Sequence, residues 1–321
     1  MFILKGKIQV GNYTFQSISE VEITKTVEDL VDTAVFKIPS KFKVRQNGQL
    51  MCTEEAIKVG DKVVITLGYE GKYEGVEFVG YVNSIGSKIP LEIKCEDAIW
   101  LLRRKNVAKS FSKTTLKTIL QEIVSGTDIK LSSAIPDMKI DKFIIKNRNG
   151  TQALQLLKET YPLTIFLDDD GRLYAGLQQA TNIGQKAIYD INYNLVENNL
   201  EYLSAEQRRI KVRIESRDKK NKVTRVELGD EDGELFEMKL NNYADEKKMT
   251  ELAKVALKAR KYEGFAGNVK SFLIPYATRG MMAVIRDQEH INREGNYFIK
   301  KVVTTFGDDG ARRDVYISNK L

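Results

Sequence analysis

Short runs of alternating polar and apolar residues, separated by glycine-rich turns, fill both ends of this chain. In the N-terminal third the apolar positions are Ile8 and Val10, then Val21 and Ile23, then Val35, Phe36 and Ile38, with breaks at Gly11-Asn12 and Pro39. Three further runs cover Val63 to Leu67, Phe78 to Ile85 and Leu91 to Cys95, and residues 39–57 between the two groups read as a loop. A period of two buries one face of each segment and leaves the other in water, as antiparallel sheet requires. The same grammar returns at Leu200 to Leu203, Arg209 to Ser216 and Val223 to Leu228. It closes the chain at Val269 to Ile274, Met281 to Ile285, Tyr297 to Thr305 and Arg313 to Ser318.

The two ends also echo each other. Residues 60–97 lie over residues 280–317 at a constant offset of 220, without a gap, matching Gly60 with Gly280, Val64 with Val284, Ile65 with Ile285, Glu74 with Glu294, Gly75 with Gly295, Phe78 with Phe298 and Val82 with Val302. Both copies run strand, loop closed by Glu-Gly, strand centred on an aromatic, tight turn, strand. A duplicated barrel half leaves that order behind.

Between these ends the period changes to that of a helix. Ser112 with Thr114-Thr115 caps a segment carrying Leu116, Ile119, Leu120 and Ile123, which Gly126 stops, and Ala98 to Leu102 starts a short helix before it. Asn149-Gly150-Thr151 opens a second helix with Ala153, Leu154, Leu156 and Leu157. Tyr161-Pro162 ends it before a hairpin turning at Asp168-Asp169-Asp170-Gly171. A third helix, 245–262, places Met249, Leu252, Ala253, Ala256 and Leu257 on one face. The expected fold is therefore mainly β, with two related antiparallel β-barrel (tube-like) domains at 1–105 and 191–321. A small α/β insert occupies 106–190, and the one long helix interrupts the second barrel.

At 321 residues, with 42% hydrophobic and 30% charged, the chain has enough apolar surface for two or three cores. Its net charge of +7 is spread along the sequence without a basic block, so it does not by itself select a nucleic-acid partner. Cys52 and Cys95 are too few for a disulfide scaffold or a zinc cluster, and the alternating N-terminus lacks the apolar stretch of a secretion signal. Synthesis in a reducing cytoplasm is expected, with no membrane anchoring, since no apolar run approaches a membrane span.

Groups for catalysis are missing. His290 is the only histidine and sits in a polar loop, and the Asp-Gly turns at 168–171, 231–233 and 308–310 lack the later ligands of a calcium loop. Gly68, Gly71 and Gly75 do not spell a phosphate loop, because Lys72 is followed by Tyr73. No enzyme activity, catalytic residue, cofactor site or metal site is expected. One strand stands out: Arg209, Lys211 and Arg213 leave one face while Ile210, Val212 and Ile214 leave the other. That cationic face is either solvated or turned toward an acidic partner or a channel. Arg103-Arg104-Lys105 reads as a helix end in water.

Several of these pieces occur together in one family. Val59-Gly60-Asp61 enters a strand, Phe78-Val79-Gly80-Tyr81-Val82 forms the next, and Glu96-Asp97 precedes Ile99, Leu101 and Leu102. Thr115-Leu116 with Ile119-Leu120, then Ala153-Leu154-Leu157 followed by Asp169-Asp170-Gly171-Arg172-Leu173, supply the centre. The helix at 245–262, Gly280 and Gly295-Asn296-Tyr297-Phe298-Ile299-Lys300-Lys301-Val302 supply the end. In their order and spacing these resemble the late-control D family of phage tail proteins, the baseplate hubs of Mu-like and T-even contractile tails. The resemblance implies a homotrimer that joins a sixfold tail tube protein to a threefold central spike and lines a channel for tape measure and DNA. With the chain stopping at Leu321, the spike is expected to be a separate protein. The implied location is the tail baseplate of a virion assembled in the bacterial host cytoplasm. The competing reading is a nucleic-acid- or ligand-binding β-barrel module outside any tail, against which the scattered aromatics count.

Overall fold

The computed structural model describes residues 3–16, 18–43, 50–161, 163–177, 185–217, 222–241 and 246–321. The chain opens with β1 (Leu4–Val10), β2 (Tyr13–Phe15), β3 (Glu20–Thr26) and β4 (Thr33–Ile38). Next come a short pair, β5 (Lys41–Lys43) and β6 (Leu50–Cys52), and one turn of helix, α1 (Thr53–Ala56). The stretch read as a loop thus holds a two-strand clip, whose Phe42 sets its ring edge-on to Tyr13 and Phe15 at 5.3 and 5.1 Å. Three-residue strands are too short to register as a period. Strands β7 (Lys62–Tyr69), β8 (Tyr73–Ile85) and β9 (Leu91–Glu96) follow, then a 3-10 turn over Ala98–Arg104. The alternating residues Ile8, Val10, Ile23, Phe36, Ile65, Leu67 and Ile93 are buried together as expected. Arg103, Arg104 and Lys105 do more than end a helix in water. Arg103 holds Glu96 at 2.6 Å, Arg104 lies over the Trp100 ring at 4.5 Å, and Lys105 donates to the Glu122 carbonyl at 2.6 Å.

The insert contains β10 (Asn106–Thr115), α2 (Leu116–Val124), β11 (Lys130–Leu131), β12 (Lys139–Asn149), α3 (Gly150–Thr160), β13 (Leu163–Leu167) and β14 (Arg172–Leu177). The β10–β12 pair was not legible, because a bulge between Val107 and Lys109 breaks the alternation of buried residues. The caps behave as the sequence predicts, except that Thr115 alone caps α2, taking the Thr118 amide at 3.2 Å, while Ser112 and Thr114 lie within β10. Asn149 and Gln152 form a reciprocal capping box, with bonds of 2.8 and 3.1 Å. Asn149→Ala should lower stability by about 1 kcal/mol, read as a melting temperature lower by a few degrees in circular dichroism.

The last part comprises β15 (Lys186–Asp190), β16 (Glu197–Leu203), β17 (Ile210–Arg217), β18 (Val223–Gly229), β19 (Glu234–Asn241), α4 (Glu246–Arg260), β20 (Gly264–Ser271), β21 (Met282–Arg286), β22 (Gly295–Gly307) and β23 (Gly310–Lys320). Residues 186–190, assigned to the insert from sequence, pair in parallel with β21. The predicted helix 245–262 is α4; position 245 lies outside the described residues. α4 packs Met249, Ala253 and Ala256 against Val212 and Ile214 of a three-stranded sheet ordered β18-β17-β19. The strand placed at Val269 to Ile274 starts earlier, because Gly264 and Gly267, at φ +156° and +110°, sit inside β20. A side chain at Gly267 would come within 2.2 Å of the Asn199 carbonyl on β16.

The echo is real in three dimensions. Sheet order reads β1-β7-β8-β9-β4-β3 in the first module and β15-β21-β22-β23-β20-β16 in the second, strand for strand in the same chain order. Register repeats at two pairs: Tyr81 opposes Glu96 and Val82 opposes Cys95, and 220 residues on, Lys301 opposes Tyr316 and Val302 opposes Val315. Beyond them a bulge at Asn83 shifts β8 by one residue, so Ser84 opposes Lys94 where Thr304 opposes Arg313. One pairing differs: β1 runs antiparallel to β7, whereas β15 runs parallel to β21. The modules share one sheet, since the last part of β22 pairs with β3, from Lys301 opposite Thr26 to Phe306 opposite Val21.

Candidate assembly interface

Within the large sheet, which goes on through β7, β1 and β2, eight strands run β16-β20-β23-β22-β3-β4-β9-β8. One face is buried and the other is polar. Across the polar face charges alternate in sign: Lys270 meets Glu197 at 2.8 Å, Lys37 meets Glu20 at 2.5 Å, and Lys94 meets Glu92 at 3.3 Å. Such exposed pairs, the first two across strands and the third along β9, contribute a few tenths of a kcal/mol each, so their effect is to even out the potential more than to stabilise.

Both ends of this run are open. β16 has no strand on its outer side among the described residues, and the Leu200 amide is taken by Asn198 Oδ1 of the same strand at 3.1 Å. β8 leaves β7 at Tyr81, opposite Lys62, exchanges backbone bonds with Gly60 and Asp61 at Val82, and continues from Asn83 to Ile85 with β9 on one side only. Its counterpart β22 leaves β21 at Phe298 and is then covered by β3. The junction between modules is therefore made once within the chain and left half-made at each end. An unpaired row of backbone donors and acceptors is a template for another strand.

Buried charges lock the internal junction. Arg279 bonds Asp32 at 2.5 Å, Asp169 at 3.4 Å and the Leu167 carbonyl. Asp169 also accepts from Tyr276 at 2.7 Å, Thr278 at 3.3 Å and Lys25 at 3.2 Å. First module, insert hairpin and second module meet at this cluster. Burial alone would raise Asp169, but Lys25, Arg279 and the Tyr276 hydroxyl hold it at about 2. Asp97 accepts the Asp32 and Ile99 amides, each at 2.9 Å; burial and then the nearby Asp32 carboxylate push it up to about 8. Burial raises Asp32 as well, against the pull of Arg279. A carboxyl held protonated by folding gives the folded chain more bound protons than the unfolded one from about pH 4, its ordinary value, to about 8. Stability should fall as pH rises through that window. Thermal melts from about pH 5 to about pH 9 should show this decline, and Asp97→Asn should flatten it.

A second buried pair joins β8 to β23. Glu77 and Arg313, each 1% exposed, bond in a fork at 2.9 and 3.1 Å, and Arg313 also donates to the Ala277 carbonyl at 3.0 Å. Burial works against the Arg313 charge, and Glu77 outweighs it.

The predicted cationic strand lies outside the eight-strand run, on the separate β18-β17-β19 sheet. Arg209 pairs with Asp232, while Lys211 and Arg213 share Glu227 at 3.0 and 2.6 Å. The fork of Asp168 and Asp170 on Arg172 closes the β13–β14 turn. His290 stays in its loop, its amide bonded to Asp287 at 2.9 Å. Among the described residues no three His, Cys, Asp or Glu side chains converge as a metal site, and no helix is long and apolar enough to cross a membrane.

No protein-family model matches the chain, and no curated protein matches its sequence. Solved structures match along nearly all of it. A 43 kDa tail protein of prophage MuSo2 from Shewanella oneidensis aligns with TM-score 0.65 at 16% identity over 98% of each chain. A tail protein from Neisseria meningitidis gives 0.63 at 14% identity, over 98% of this chain and 96% of that one. An E. coli component of the type VI secretion system, described as structurally similar to T4 bacteriophage tail proteins, gives 0.57 at 9% identity over 98% and 76%. The chain has the fold of these proteins.

Proposed function

We propose that this chain is a structural baseplate hub of a phage-type contractile tail, closing as a trimer around a channel. The observation that carries the proposal is the junction between modules, made once by β22 and β3 and left open at β8 and β16. Carried at the sequence offset of 220 to the bulge of β8, Val303 opposite Thr24 corresponds to Asn83 opposite Asn199 of the next copy. Repeating that contact turns eight strands from each of three chains into one closed sheet with no free edge. Six similar modules then face a sixfold tube on one side, while threefold symmetry suits a separate central spike on the other. The polar face becomes the channel wall. Its alternating charges offer no continuous basic stripe on which a passing tape measure or DNA would be held. The role is structural and needs no catalytic group. The partners are the tail tube protein and the spike, in a virion assembled in the host cytoplasm.

Paired cysteines test the contact. In an Asn83→Cys/Asn199→Cys chain, oxidation should link copies into a ladder ending at the trimer on a non-reducing gel. Only monomer bands from a folded, oxidised variant would reject the proposed pairing.

A further inference from the structure

A cleft of about 570 Å³ opens where the insert and the three-stranded sheet meet β20, β22 and β23 of the second module. Its walls carry four cations, Lys158, Arg208, Arg260 and Lys300, against two carboxylates, Glu28 and Glu234. Glu28 is already engaged twice, its carbonyl by Lys158 and its carboxylate by Lys300 at 3.5 Å. Arg260 lies on the Phe236 ring at 3.3 Å and has no carboxylate within ion-pair distance among the described residues; burial brings it down to about 10 despite the more distant Glu234. Arg208 lies over Tyr262 at 4.0 Å, and its Nε is buried without a partner among the described residues. Cations taken partly out of water without enough counter-charge are costly, and an arriving anion offsets that cost.

The cleft's shape narrows the class of anion. Glu234, Leu235 and Phe236, three consecutive residues of β19, all line it. Successive side chains of a strand point to opposite faces, so a strand that offers three in a row presents its edge. Among the described residues β19 is an edge strand, paired with β17 alone, and its Leu235 is 47% exposed.

We infer that this cleft docks an extended acidic segment of a partner protein, which adds to the free edge of β19 as a strand and sets its carboxylates against Arg260, Lys300, Lys158 and Arg208. Main-chain bonds to β19 supply the alignment, and the cations select acidic side chains. The inference does not depend on trimer formation.

A fluorescent peptide of alternating valine and glutamate, titrated into the full chain and followed by anisotropy, tests it. The glutamate peptide should bind with an affinity that falls as salt rises, the valine–lysine counterpart should not bind, and methylating the glutamate peptide's alternate backbone amides should abolish binding. Arg260→Gln/Lys300→Gln should weaken binding by at least about tenfold. Should that variant fail to fold, hydrogen exchange on the unaltered chain decides: the amides of residues 234–236 must gain protection with the glutamate peptide. Equal binding by the lysine peptide, the methylated peptide or the double variant would overturn the inference. So would saturable binding of inorganic phosphate with none of the peptide, which would assign the cleft to a small anion.

Discussion

Glu77→Ala should remove about 3–5 kcal/mol of stability. The truncation leaves Arg313, 1% exposed, with a full charge and only carbonyl and hydroxyl partners: Ala277 at 3.0 Å, Leu273 at 3.3 Å and Thr304 at 3.5 Å. Guanidinium groups do not discharge in response, so the desolvation cost falls wholly on the folded state. A domain's total stability is about 5–15 kcal/mol, so the loss would be visible as a much lower urea midpoint or as insoluble product. Removing both charges by Glu77→Leu/Arg313→Met should recover most of it, because what destabilises is the orphaned charge and not the missing pair. A cost below about 1 kcal/mol for Glu77→Ala would mean that water reaches Arg313 and that the two modules are not held at this point.

Leu200→Pro should convert the proposed trimer to a folded monomer. Proline removes one backbone donor, and at Leu200 that donor is bonded to Asn198 Oδ1 on the open edge of β16. Proline is tolerated on edge strands for this reason, so the monomer's melt should move by only a few degrees. The next copy's β8, by contrast, would meet an edge with a missing hydrogen bond and a ring in the way. If the variant remains a trimer of unchanged mass, the contact between copies lies elsewhere. If it unfolds, the Leu200 amide belongs to the β16–β20 ladder.

How far the sequence could be read depended on whether a residue's role was local. The terminal strands were legible because their buried positions alternate without interruption, and the repeat was legible because β7, β8 and β9 recur as β21, β22 and β23 without insertion. The rest of the duplication was hidden: β17 to β19 and α4 intervene between β16 and β20, so no constant offset spans them. β10 and β12 escaped because of the bulge at Val107 and Lys109. At the interface the strands were visible but their open edges were not, since an edge is defined by which neighbours a strand lacks. The buried charges were missed for a related reason. Asp169 looks like a turn residue until Tyr276, Thr278 and Arg279 are brought to it from the other module. The one local signal was Glu77, a lone acid between Val76 and Phe78 in an otherwise apolar stretch, and Arg313 offered its complement 236 positions away. The cationic strand was legible as a pattern, but its counter-ions Glu227 and Asp232 arrive from β18 and its following turn.

The ring is the claim on which the functional account rests, and the mass of the purified chain in solution tests it most directly. Light scattering over a range of concentrations should give three times the chain mass of 36.5 kDa, with no dimer plateau. A mass that stays at one chain, or settles at two, across that range would contradict a closed ring of three.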